Sequence, residues 1–205
     1  MRFAAAEDVR RELASWSREE LLDFVADCAA ELPAAHDRLR RRVASKGSAA
    51  VATFKAQIAR ALDVREVKWN QVAEFVASLD AILVDVVRLG DRQPGEAVEV
   101  ALWFIGQIPT VVDAVDGEDE LANFCTEAAS AVALMVRNDG VDRLAVAGRL
   151  LDLHAADGYG VASELPGIAA ALVTPESLGA FESLFREKRA ERFIPELKAR
   201  LRPTR

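Results

Sequence analysis

The stretch that most constrains this chain is 96–138, two apolar arms joined by an acidic turn: EAVEVALWFIGQIPTVVDAV, DGEDE and LANFCTEAASAVALMVRN. On the first arm, Val98, Val100, Leu102, Trp103, Phe104, Ile105, Ile108, Val111 and Val112 leave almost no polar side. A helix apolar all the way round must be covered by neighbours on every side. The arm therefore predicts the middle of a helical assembly, with the rest of the chain packed around it. Pro109 lies inside the arm, removes one backbone donor towards Ile105, and predicts a kink near Gly106.

The flanking segments read as more helices. An N-terminal helix is expected over 4–14, with Val9 and Leu13 inward. Ser17-Arg-Glu-Glu20 has the spacing of a capping box, in which hydroxyl and carboxylate each satisfy the other residue's backbone amide. The helix it opens carries Leu21, Phe24, Val25, Cys28 and Leu32, offsets that share one face and predict burial. Pro33 suits the first turn of the next helix, with Leu39 and Val43 inward and Gly47 as its cap. Ser48 starts another through Val51, Phe54, Ile58 and Leu62. Asn70 is expected to cap a long helix with its stripe at Val72, Phe75, Val76, Leu79, Ile82, Leu83, Val86 and Val87. Residues 91–95 (DRQPG) read as a linker.

Past a turn at 138–140, a helix is expected through Val141, Leu144, Ala147, Leu150, Leu151 and His154. Then come a glycine-flanked loop at 156–160, a short helix over 165–173, and another opened by Thr174-Pro-Glu-Ser177. The basic tail is broken by Pro195 and Pro203. No alternating stretch is long enough for a strand. The reading is an all-α fold of about nine helices, an irregular α-α superhelix of antiparallel pairs in a single domain over 1–205. Within it, 1–17 is the N-terminal helix, 18–90 the first pairs, 96–138 the central hairpin and 141–205 the C-terminal helices and tail.

Hydrophobic residues make up 51% and charged ones 29%, the balance of a folded protein. A net charge of −7 speaks against general nucleic-acid binding and against an anionic membrane surface. The charge is unevenly spread. Residues 186–205 hold eight Lys/Arg and three Glu, whereas 111–127 hold six acids and no base. Cys28 and Cys125 lack metal-ligand spacing and are too few for a disulfide framework, so a reducing cytoplasm is expected. The N-terminus meets acids too early for a signal peptide, and 100–112 is short of the roughly 18 apolar residues of a membrane span.

Three segments in order carry a resemblance: the 21–43 pattern ending in LRRRV, the 69–89 helix followed by the DAVDGED turn, and LLDLHAADGYGV at 150–161. Together they resemble an uncharacterised bacterial all-helical domain family that also occurs beside SWIM-type zinc fingers. The resemblance spans roughly residues 18–190 and implies stacked helix pairs, with no family activity or catalytic residues to carry over. The chain has no Cys-x-Cys…Cys-x-His ligand set, so the zinc module of the SWIM-linked forms is missing.

Five groups of residues are candidates for chemistry. Asp113, Asp116, Glu118, Asp119 and Glu120 could surround a hard cation, but their spacing is not that of an EF-hand loop. The reading preferred here is that Asp113 and Asp116 end one helix while the other three open the next, where acids favour the positive dipole end. His36 and His154 read as packed or rim histidines, and Cys28 and Cys125 as inert core thiols. Arg38, Arg40, Arg41 and Arg42, with the tail, form basic patches for phosphate or an acidic partner, yet lack interleaved aromatics. Tyr159, in Asp157-Gly-Tyr-Gly160, has two readings: a contact residue for a partner, or a ring tucked onto the next helix pair in a tight turn. P-loop, dinucleotide, zincin and nucleophile-elbow motifs are absent. No metal and no cofactor are expected.

The function this supports is a non-enzymatic helical-repeat scaffold for a protein or peptide, with Tyr159, Asp157, Asp113, Asp116, Glu118 and Asp119 as contact candidates. An accessory nucleic-acid protein using the Arg patches and a divalent-cation enzyme at the acidic turn are the alternatives.

Overall fold

The computed structural model describes residues 13–32, 35, 50–137 and 141–201. Nine α-helices lie among them: α1 Arg18–Glu31, α2 Ala50–Ala61, α3 Val72–Gly90, α4 Pro94–Gln107, α5 Glu118–Met135, α6 Arg143–Ala156, α7 Leu165–Ala170, α8 Leu178–Glu187 and α9 Ile194–Arg200. The described residues contain no strand, so the fold is all-α. Three 3-10 segments, Ile108–Ala114, Pro175–Ser177 and Glu191–Phe193, join α4 to α5, α7 to α8 and α8 to α9.

The apolar arm sits where its composition requires. α4 packs against α2, α3, α5 and α6, and Phe104, Ile105 and Ile108 are essentially inaccessible. Pro94–Ala114 is long and apolar enough to cross a membrane by length and composition alone. Here its apolar sides are met by protein: Phe104 faces Phe124 of α5 with ring centroids 4.9 Å apart. Val72 of α3 abuts Gly117 at the start of α5, and Gly90 abuts Met135 at its end, so α3 and α5 run parallel with α4 returning between them. A single apolar core runs from Ala50 on α2 to Leu197 on α9.

Several local expectations change. The Pro109 break is not a bend within one α-helix. α4 ends at Gln107 and the chain tightens into the 3-10 segment, the Ile108 amide bonding the Ile105 carbonyl. Asn70 does not cap α3. Gln71 takes that position without a side-chain cap bond, and its Oε1 accepts the Lys68 amide at 3.2 Å instead. The Ser17/Glu20 capping box forms as read, at 3.2 and 2.7 Å. However, the apolar face it introduces is not core: Phe24, Val25 and Leu32 are exposed, and Cys28 is only half-buried. Periodicity shows that a face exists, not that a neighbour covers it. The expectations for 4–12, His36, Leu39, Val43, Gly47, Ser48, Arg38, Arg40, Arg41, Arg42 and the 138–140 turn lie outside the described residues.

The end of α8 carries a feature that the sequence does not announce. Arg189 has φ +56°, the left-handed region, while the Ala190 amide reaches back 2.7 Å to the Phe185 carbonyl. This is the geometry of a glycine C-cap, adopted by an arginine. Replacing Arg189 with glycine should raise stability by about 0.5–1 kcal/mol, read as a higher denaturation midpoint at unchanged slope. Arg189→Ala, which keeps a Cβ, should give no such gain.

Candidate functional site

The acidic turn is held in place from outside itself. Val67, in the extended segment before α3, donates its amide to the Ala114 carbonyl at 2.7 Å and accepts from the Asp116 amide at 2.9 Å. Gly117 then passes so close to α3 that a Cβ there would lie 2.5 Å from Val72 Cγ1. Only a residue without a side chain fits that contact. Glu118, Asp119 and Glu120 occupy the first turn of α5, where unpaired backbone amides and the helix dipole favour carboxylates.

The Tyr159 loop is stapled by Asp157. One carboxylate oxygen accepts the Tyr159 amide at 3.0 Å, the other the Ala162 amide at 2.7 Å. Gly160 has φ +89°, which accounts for the second glycine of the motif. His154 supports the same loop, its Nδ1 3.0 Å from the Ala162 carbonyl and its Nε2 3.4 Å from the Arg192 guanidinium. An imidazole engaged at both nitrogens is a loop support, in keeping with the rim reading.

These two loops, far apart in sequence, meet. The Tyr159 hydroxyl donates to Asp113 Oδ2 at 2.7 Å, and the tyrosine remains 41% exposed. Its hydroxyl is therefore anchored while the residue stays partly open to solvent. Around it lies a concavity of about 530 Å³, lined by Val112, Val115 and Gly117, by the carboxylates of Asp113, Asp116, Glu118, Asp119 and Glu120, and by Tyr159. Asp157 holds the loop through the Tyr159 and Ala162 amides and is not part of this lining. Among the described residues, no three of His, Cys, Asp and Glu are grouped to hold a metal ion.

The hydrogen bond to Asp113, reinforced by its negative charge, pushes the Tyr159 phenol above its ordinary value. A group whose folded pKa is raised keeps its contribution below the unfolded value, near 10, and loses it as pH rises through the folded one. Because Tyr159 is the only tyrosine, phenolate absorbance reports it alone. Asp113→Asn should shift the midpoint down towards the free phenol, and an unchanged midpoint would refute the contact.

The remaining candidates stay apart from this site. Cys125 is buried, and burial, with Asp157 nearby, pushes its thiol up to about 12, the state of an inert core cysteine. Four bases of the segment pair with acids of α6, α8 and α9: Arg186 and Lys198 with Glu182 (2.9 and 3.1 Å), Lys188 with Asp152 (2.7 Å) and Arg200 with Glu196 (3.0 Å). Among the described residues, no ion pair joins it to 111–127. Sequence reasoning missed the Tyr159–Asp113 bond and the Val67 clamp. Asp157 as staple was open to it, since Asp two residues before an ordered amide is the Asx-turn pattern.

Comparison with known proteins matches residues 10–202 to a family model described as a family of unknown function, DUF6880. No curated protein and no solved structure matches the chain.

Proposed function

The chain belongs to the DUF6880 family of unknown function, and we propose that it is a non-enzymatic helical interaction module whose acidic concavity binds a basic segment of a partner protein. The observation that carries this is the Tyr159–Asp113 contact. It fixes an exposed aromatic ring on a concavity whose polar lining is carboxylate. Lysine or arginine side chains suit such a surface twice over. Carboxylates attract them over a Debye length, and a partly exposed tyrosine ring can take a cation–π contact of about 0.5–1 kcal/mol. Nucleic acid, with its phosphate charge, is repelled by the same lining.

The test is calorimetric titration with a synthetic peptide of alternating lysine and glycine, at low and moderate salt. Wild type should bind with an affinity that falls as salt rises. Tyr159→Ala and Asp116→Lys should each weaken binding about fivefold to tenfold, as loss of roughly 1–1.4 kcal/mol implies. Asp63→Lys, an exposed charge reversal outside the concavity lining, should change little. Equal losses from all three variants would reduce the effect to net charge and defeat the proposal, as would no binding at low salt.

A further inference from the structure

We propose that α1 is a second docking surface, separate from the Tyr159 concavity, and that it takes a basic amphipathic helix of another protein. The residues that carry it are Phe24 and Val25, 44 and 41% exposed although they share one helical face with Leu21 and Cys28, and Leu32, 57% exposed where it caps the helix end. Leu22 extends the apolar surface at one edge, and Trp16 closes its end, meeting Phe24 edge-on with centroids 5.5 Å apart. No described helix covers this face. The helix does not depend on one to begin, because its first turn is closed by the Ser17/Glu20 box. A run of apolar side chains at helical spacing, left open on a capped helix, is the receiving half of helix-in-groove recognition.

Charge says what fits it. α1 carries Glu19, Glu20, Asp23, Asp27 and Glu31 against one base, Arg18. Helical spacing puts Glu20, Asp27 and Glu31 in one row beside Phe24, so the acids rim the aromatic rather than scatter around the helix. A second copy of α1 would bring like rows together and is disfavoured. An apolar stripe flanked by lysine or arginine matches both features, the stripe contributing apolar burial and the flank selecting the partner.

The experiment is a fluorescence-anisotropy titration of the full chain with a dye-labelled synthetic helical peptide. Its leucines lie at i, i+3, i+4 and i+7 and its lysines along one flank, with a scrambled peptide of the same composition as control. The patterned peptide should bind at least about tenfold more tightly than the scrambled one. Phe24→Asp should weaken it about tenfold, and so should the pair Asp27→Lys/Glu31→Lys, which leaves the apolar face intact. Circular dichroism should show helix content unchanged in both, while Tyr159→Ala should leave this binding unaltered. Equal affinity for both peptides, or no loss on Phe24→Asp, overturns the proposal. Binding that emerges only after Leu39→Asp/Val43→Asp would assign the face to the chain's own 38–43 stretch, and a dimer dissolved by Phe24→Asp would assign it to a second copy. Either result overturns it too. The lysine–glycine peptide has no apolar residues, so failure here is distinct from failure at the concavity.

Discussion

Phe104→Ala should destabilise the protein by about 3–5 kcal/mol, the usual cost of emptying a ring-sized site in a packed core. Phe104 is inaccessible, its ring lies 4.9 Å from that of Phe124, and α4 is hemmed in by α2, α3, α5 and α6. With so many rigid neighbours, the cavity has little chance to collapse, which places the cost high in that range. Against a typical domain stability of about 5–15 kcal/mol, this would remove a large fraction of the whole. Urea denaturation checks it: the midpoint should fall sharply with the slope unchanged. Phe24→Ala is the contrast, since Phe24 is exposed and its loss should shift the midpoint by no more than about 0.5 kcal/mol. Comparable losses from the two would mean that the core is not where the structure puts it.

Gly117→Ala should cost about 1–3 kcal/mol, the range for forcing a methyl into a packed contact. The φ of Gly117, −163°, lies outside the left-handed region that favours glycine, so the argument rests on the contact. The cost is steric, because the new Cβ would stand 2.5 and 3.0 Å from the two methyls of Val72. Valine is branched at Cβ and held at the start of α3, so it has no alternative rotamer to give way. Gly90 offers the useful comparison. A Cβ there meets Met135 Sδ at 2.7 Å, but methionine is unbranched and can swing aside, so Gly90→Ala should cost less. Gly95→Ala, with nothing within 4 Å, should be neutral or slightly stabilising. In a double-mutant cycle, Val72→Ala should relieve part of the Gly117→Ala penalty, giving a coupling of about 0.5 kcal/mol or more. Strict additivity would remove the contact from the account. Since Gly117 lies between Asp116 and Glu118, the same variant should also move the carboxylates that line the concavity and weaken binding of the basic peptide.

Both predictions concern features of different legibility. The burial of Phe104 could be read directly, because an arm with no polar side can only be interior. Gly117 could be read as a turn glycine, but not as the point where the turn touches α3. The candidate site divides in the same way. Tyr159, Asp113 and the acids at 116–120 stood out by residue type and loop context. The reading of Glu118, Asp119 and Glu120 as first-turn acids of α5 held, since helix-end electrostatics is a local property. That Asp113 would receive the Tyr159 hydroxyl was not readable, because 46 positions separate them. The Arg189 cap went unseen for a related reason: arginine carries no signature for positive φ, and the Ala190–Phe185 bond that fixes it depends on where α8 stops.

The misreadings are instructive about α1. Its apolar spacing matches that of a core helix, and its capping box formed as expected. The spacing registers amphipathicity, while burial depends on a covering surface that is not encoded in the helix itself. Hence Phe24 and Phe54, alike in type and in helical spacing, end 44% exposed and fully buried.

What the sequence determined by itself was the all-α class, the central place of the apolar arm and the ends of helices with strong local chemistry. Each of these is set by contacts within a few residues or by bulk hydrophobicity, which summation along the chain preserves. What only the tertiary structure decided was which loops meet. Val67 grips the acidic turn and Gly117 yields to Val72 because α3 and α5 run parallel and start side by side, while Tyr159, beyond the end of α6, reaches Asp113, beyond the end of α4, because α6 packs on α4. Contacts of that kind depend on the relative placement of whole helices, and no single stretch of chain carries that information.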